Sequence, residues 1–218
     1  MKNKKKKAAA RKSGKKLRIL AFSDLHGDEK ALKLLEKKAR KADVLVCAGD
    51  FTVFENNILR VMRKLDSFGK PVMLVHGNHE EAMLVAEICT KLRNIKFVHR
   101  KAYSSSEFPD YAFVGHGGEG FDFVSEDFER FASAAMRKIK QLQKQKKKII
   151  FVTHQPPHKT KLDFIWKHHG SKSYAKFVRK MQPLLHICGH LHETQGKKDR
   201  IGKTIVINPG PKGMIVEV

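Results

Sequence analysis

Three times in the first ninety residues, a run of four to six apolar residues gives way to a helical pattern. The runs start at Leu17, Val44 and Val72, so successive ones are about 28 residues apart. Each is short enough for a buried strand. Each following segment carries apolar residues at helical spacing, as at Leu32, Leu35 and Ala39. Strand–helix alternation on this period predicts βαβ units and a sheet covered by helices.

The pattern then changes. Lys96–His99 and Tyr111–Gly115 read as short strands, and Gly115–Gly120 as a Gly-rich loop. Ser125–Gln145 reads as the longest helix, with Ser125 as N-cap and Phe128, Phe131, Ala135 and Ile139 on one stripe. Ile149–Thr153, Leu184–Cys188, Thr204–Asn208 and Met214–Val218 read as strands, with a helix over Lys172–Gln182. No internal linker interrupts them. The expectation is a basic, disordered tail over residues 1–16 and one domain over 17–218.

Composition narrows the function classes. At 41% hydrophobic, 218 residues suffice for one well-buried domain. No apolar stretch approaches the roughly 20 residues of a membrane helix, and Ala8–Ala10 is too short for a signal-peptide core. The expectation is a soluble cytoplasmic protein with no membrane insertion. The three cysteines, Cys47, Cys89 and Cys188, form no CxxC pair, and a disulfide framework is not expected. The net charge is +23, and residues 1–18 alone hold ten basic residues and no acid. A second cluster runs from Arg137 to Lys148. Such blocks are usually solvated; the sharper reading is a nucleic-acid contact through the tail.

Polar residues with metal-binding chemistry follow the strands. Asp24 and His26 follow the first, Asp50 the second, and Asn78, His79 and Glu80 the third; His154 follows Ile149–Thr153, and His190 and His192 follow Leu184–Cys188. In an open α/β sheet, the crevice beyond the carboxyl ends of the strands is where ligands bind. Each piece alone reads equally well as a turn or a solvated side chain. Five strand ends delivering Asp, Asn and His to one edge are hard to explain by packing. Mixed Asp, Asn and His donors suit borderline divalent ions, and no thiolate belongs to the set.

Asp24-Leu25-His26, Gly49-Asp50, Gly77-Asn78-His79-Glu80, His154 and Gly189-His190-Leu191-His192 resemble, in order and spacing, the five signature blocks of calcineurin-like metallophosphoesterases. His154-Gln155-Pro156-Pro157 and Asn208-Pro209-Gly210 make the chain similar to compact microbial and archaeal members. One departure is Glu80, where many members carry Asp. The resemblance implies an α/β fold, a four-layer αββα sandwich of two mixed β-sheets flanked by helices. It also implies two divalent metal ions, Mn first with Fe, Zn or Ni as alternatives. Asp24, His26, Asp50 and His192 would hold one ion; Asp50, Asn78, His154 and His190 would hold the other. A metal-bridging hydroxide would attack phosphorus, and His79 would be the general acid, kept protonated by Glu80 or another carboxylate. The implied reaction is phosphodiesterase or phosphatase hydrolysis of a phosphate ester. The alternatives are a nuclease recruited by the basic tail and a non-catalytic interaction scaffold on the same fold. Among the remaining residues, the Gly-rich loop is expected to be a plain mobile loop. His158, His168 and His169 are expected in a surface loop, Trp166 in packing, and His186 in the core.

Overall fold

The computed structural model describes residues 16–218, so the expected tail lies outside the described residues except for Lys16, which is exposed. The first half runs β1 (Arg18–Phe22), α1 (Glu29–Ala39), β2 (Val44–Ala48), α2 (Ile58–Asp66), β3 (Val72–Val75), α3 (Ala82–Thr90) and β4 (Ile95–Phe97). The second half runs β5 (Lys101–Tyr103), β6 (Tyr111–His116), α4 (Glu126–Lys144), β7 (Lys148–Thr153), α5 (Lys172–Met181), β8 (Leu185–Ile187), β9 (Lys198–Ile201), β10 (Thr204–Ile207) and β11 (Met214–Glu217). One sheet has the order β11-β1-β2-β3-β4 and the other β5-β6-β7-β8-β10-β9. Both are mixed: β1, β2, β3 and β4 are parallel with β11 antiparallel, and β6, β7, β8 and β10 are parallel with β5 and β9 antiparallel at the edges.

The period-2 alternation of side chains explains how the layers stack. On β1 and β2, Leu20, Phe22, Leu45 and Cys47 face α1, α2 and α3, meeting Leu35, Met62 and Val85. Their neighbours Ile19, Ala21, Val44 and Val46 face the second sheet, meeting Ile150, Val152 and Ile187. On the far side, Val114 and Phe151 meet Phe128 and Ile139 of α4 and Tyr174 of α5. Three apolar interfaces therefore separate four layers, as the resemblance implied. Strands buried on both faces need apolar residues at every position, which is why these runs show no polar alternation.

The helices begin where their caps dictate. Asp28 accepts from the amides of Lys30 and Ala31 at α1, and Ser125 accepts from the Phe128 amide at 3.0 Å at α4. Two strands differ from expectation. The run expected at Lys96–His99 ends as β4 at Phe97, and the chain crosses to the other sheet as β5. β9 (Lys-Asp-Arg-Ile) carries no apolar run, because it is an edge strand with charged, partly exposed side chains. Cys47 and Cys188 are buried free thiols and Cys89 is half-buried. Among the described residues, no helix is long and apolar enough to cross a membrane.

Phe151 lies in the interface between the second sheet and its helices, ring to ring with Phe177 at 4.8 Å. Phe151→Ala is expected to cost about 3–5 kcal/mol of unfolding free energy. Chemical denaturation measures it, and a loss below about 1 kcal/mol would contradict this packing.

Candidate metal centre

The residues that follow the parallel strands meet at one edge of the sandwich. Asp24, His26 and His192 place ligand atoms within 4.8 Å of one another; so do His26, Asp50 and His79, and so do Asp50, His154 and His190. Asp50 belongs to two of these groups. Asn78 joins through its Oδ1, 3.0 Å from His154 Nε2. All seven sequence-predicted ligands and His79 are therefore brought together.

The convergence strains the backbone. Asp24 (φ 52°), His26 (φ 46°), Asp50 (φ 50°) and His190 (φ 72°) all occupy the left-handed region. Each such non-glycine residue costs on the order of 1–3 kcal/mol and persists only where its surroundings enforce it. The enforcement is visible. Asp24, His26 and Gly27 donate their amides to the carbonyls of Gly49, Asp50 and Phe51, which zips the first loop to the second. At Gly77, any Cβ would run into the Asp50 carboxylate. At Gly49, a Cβ would lie 2.7 Å from His154 Nδ1. Glycine at both positions lets the loops close on the site.

Two histidines are oriented by backbone carbonyls. His154 Nδ1 donates to Ala48 O at 2.9 Å, which aims Nε2 at Asp50 Oδ2, 3.2 Å away. His26 Nδ1 donates to Thr52 O at 3.2 Å, and its Nε2 faces His192 Nε2 at 3.1 Å. Carbonyl-anchored imidazoles presenting the other nitrogen inward are the usual arrangement around a metal ion. Burial disfavours charge on His154, yet the hydrogen bond and charge of Asp50 raise it to about 9. Burial likewise raises Asp50, but the His154 hydrogen bond and charge and the His79 amide outweigh it and hold the carboxyl below its usual value. The centre thus favours positive charge within it.

Two buried atoms of the centre, Asp24 Oδ2 and His190 Nε2, lack a hydrogen-bond partner among the described residues. The other oxygen of Asp24 accepts from the His190 amide at 2.9 Å. Burial, then the charge on His154, push His190 down to about 3, so its ring is neutral. A buried carboxylate oxygen, a neutral imidazole nitrogen and two imidazole nitrogens facing each other have the chemistry of a divalent-cation site.

His79 stands beside Asp50. Its amide donates to Asp50 Oδ1 at 3.0 Å, and its Nε2 is 3.8 Å from Asp50 Oδ2. The Phe54 amide donates to His79 Nδ1 at 3.4 Å, which leaves Nε2 as the nitrogen that carries a proton. Of the two options left open for the carboxylate beside His79, Glu80 or another, the one that faces it is another, Asp50. Glu80 Oε2 accepts from the amides of Asp50 (3.1 Å) and Gly77 (2.9 Å). Its Oε1 accepts from the Thr52 amide and hydroxyl, both at 2.8 Å. The next residue, Glu81, is the N-cap of α3.

The Gly-rich loop also differs from the expected plain loop. Gly117 donates to His99 Nδ1, Gly118 donates to His76 O, and a Cβ on Gly120 would lie 3.7 Å from His190. The loop lies against the centre, and the glycine spacing was its only signal in the sequence. His158 and His168 gather on the fully buried Asp163, whose oxygens also take the amides of Lys159, Thr160 and Gly170. Trp166 is not in packing: it is 73% exposed. His186 is buried as expected, 2.8 Å from Thr153 Oγ1.

Glu80 generates a stability prediction. Glu80→Gln keeps the shape but turns an amide N–H₂ toward backbone donors, leaving them unpaired. The expected loss is about 2–3 kcal/mol by chemical denaturation; a neutral substitution would contradict the four-bond description.

Residues 17–194 match the family model for calcineurin-like phosphoesterase. The chain is 32% identical over 210 residues to the uncharacterized protein MJ1162 of Methanocaldococcus jannaschii, covering 93% of this chain and 92% of that one. It is 34% identical over 97 residues to a UDP-2,3-diacylglucosamine hydrolase of Pseudomonas putida, a match covering 35% of this chain and 40% of that protein. Among solved structures, TT1561 of Thermus thermophilus superposes with a TM-score of 0.69 at 23% identity, over 90% of this chain and 91% of that one. That superposition shows the shared fold, and the family match spans most of the chain, including all seven predicted ligands and His79. The chain belongs to the calcineurin-like phosphoesterase family.

Proposed function

We propose that this chain is a cytoplasmic hydrolase of phosphate esters that works with two divalent cations, manganese first among them and iron, zinc or nickel as alternatives. The observation that carries the reading is Asp50, shared between the group with His154 and His190 and the group with His26 and His79. Asp50 thus reaches His26 of one proposed ligand set as well as His154 and His190 of the other, the arrangement a bridged pair of ions requires. Asp24, His26, Asp50 and His192 would hold one ion, and Asp50, Asn78, His154 and His190 the other. Bound there, two ions supply a nucleophilic water at neutral pH and neutralise charge on the phosphoryl oxygens.

The protein's own groups do the rest. Asp24 and Asp50 bring the negative charge that draws cations in. His79 stands with Nε2 3.8 Å from the Asp50 carboxylate, and in its imidazolium form, with Nδ1 released from the Phe54 amide, it would supply the proton for the departing ester oxygen. Asp50 holds His79 through its amide, so positioning the ions and positioning the acid are coupled. The hydrolase name of the Pseudomonas relative supports cleavage by water. The interaction-scaffold alternative is disfavoured because every ligand side chain and His79 converge. The nuclease alternative rests on a tail outside the described residues and on the net charge of +23.

Metal-stripped protein resupplied with Mn²⁺ is expected to hydrolyse p-nitrophenyl phosphate or bis(p-nitrophenyl) phosphate. The ratio of the two rates distinguishes phosphatase from phosphodiesterase. Asp50→Ala should fall to background, and His79→Ala should lose about 10²–10⁴-fold in kcat while retaining metal. Turnover that survives chelation, or that is indifferent to both substitutions, would contradict the reading.

A further inference from the structure

Among the described residues, the most exposed large aromatic side chains are Phe54 at 77%, Trp166 at 73% and Phe121 at 64%. They are not scattered. The Phe54 ring lies 4.4 Å from the His79 ring, tilted over it. The Phe121 ring stands edge-on to His190 at 4.6 Å. Phe121 also meets the His169 ring at 6.2 Å, and Trp166 meets His169 at 5.3 Å. Phe54 thus borders the proposed proton donor. From His190 at the centre, a row of rings runs outward through Phe121 and His169 to Trp166.

The backbone under Phe54 marks it as held for a purpose. Phe54 (φ 44°), Glu55 (φ 63°) and Asn57 (φ 55°) all occupy the left-handed region. For a bulky residue such as Phe this is an outlier. The strained conformation turns an apolar ring to solvent, which the hydrophobic effect disfavours, so folding gains nothing from it. Phe121 sits next to Gly120, whose backbone lies against His190 and Asn78.

The geometry points to a recognition surface for a nucleobase carried by the substrate, formed by Phe54 and Phe121 with Trp166 at its outer end. This inference rests on the proposed phosphate-ester chemistry and names its substrate class, a nucleotide or nucleotide ester. Exposed rings that border the phosphate-handling histidines offer faces for a planar base at a short distance from phosphorus. Stacking on an aromatic ring tolerates any base and needs no hydrogen-bond readout. The positive net charge favours such anions. The sequence alone had Trp166 as packing; its exposure and its place in the row give it this other use.

The test compares two ligands with the same phosphate and sugar, differing only in the base: adenosine 5′-phosphate and ribose 5-phosphate. Their binding to manganese-loaded full-length protein is measured by calorimetry, with intact ligand verified by chromatography. Trp166 is the only tryptophan and provides a fluorescence readout. Adenosine 5′-phosphate is expected to bind about tenfold more tightly. Phe54→Ala combined with Phe121→Ala should remove that preference while thermal stability and manganese stoichiometry stay unchanged. Phe54→Trp should retain it. Equal affinity for the two ligands, or a preference that survives the double substitution, would overturn base recognition and leave the phosphate-ester reading intact. Hexyl phosphate binding as tightly as adenosine 5′-phosphate would also overturn it, since the surface would then select apolar rather than planar groups. If neither monophosphate binds, this inference fails, while the phosphate-ester reading stands or falls separately on the metal-dependent turnover of the two p-nitrophenyl esters.

Discussion

One buried carboxylate organises the centre without offering itself to it. Glu80 takes the amides of Asp50, Thr52 and Gly77 and the hydroxyl of Thr52. These groups belong to the loops after β2 and β3, which would otherwise leave buried amides unpaired. With Glu80 in place, Gly77 is drawn against Asp50, and the His79 amide reaches the Asp50 carboxylate. The left-handed backbone at Asp50 is held from both sides, by Glu80 at its amide and by His26 at its carbonyl. Burial raises the Glu80 carboxyl above its usual range, opposed first by the Gly77 amide. Burying an acid there is unfavourable in itself, and its four hydrogen bonds offset part of the desolvation.

The two-sheet sandwich supplies the larger geometry. Parallel strands end on the same side, and stacking two such sheets face to face brings the ends of β1, β2 and β3 against those of β7 and β8. Strand ends fix positions to within a bond length or so only if the loops cannot drift. The carbonyl anchors on His26 and His154, and the amide bond from His190 to Asp24, meet that requirement from three directions. Four strained residues among the predicted ligands are the counterpart of this rigidity: the hydrogen bonds between the loops hold their backbone in place.

Much of this was legible before any coordinates. The strand–helix period and the polar residues after each apolar run picked out the seven predicted ligands and His79 that the structure brings together, because burial forces apolar continuity up to the point where the chain turns. Short-range signals also sufficed for the Ser125 cap. What the pattern did not carry were relationships between segments distant in sequence. Glu80 was read as an acid beside His79, since nothing local reports that its carboxylate turns back to the Asp50 loop. β9 was missed because an edge strand needs no apolar run. Trp166 was assigned to packing, because an exposed tryptophan and a buried one look alike in a string of letters. The contact of the Gly115–Gly120 loop with the centre was signalled only by its glycines, which fit a plain mobile loop better.

The proposed hydrolysis rests on a pair of ions sharing Asp50. The most direct measurement is electron paramagnetic resonance of protein titrated with Mn²⁺, read together with metal content per chain. The prediction is two ions per chain and a multiline signal from an exchange-coupled pair, lost in Asp50→Ala. A single uncoupled ion at saturation, or a coupled pair unchanged in Asp50→Ala, would contradict it.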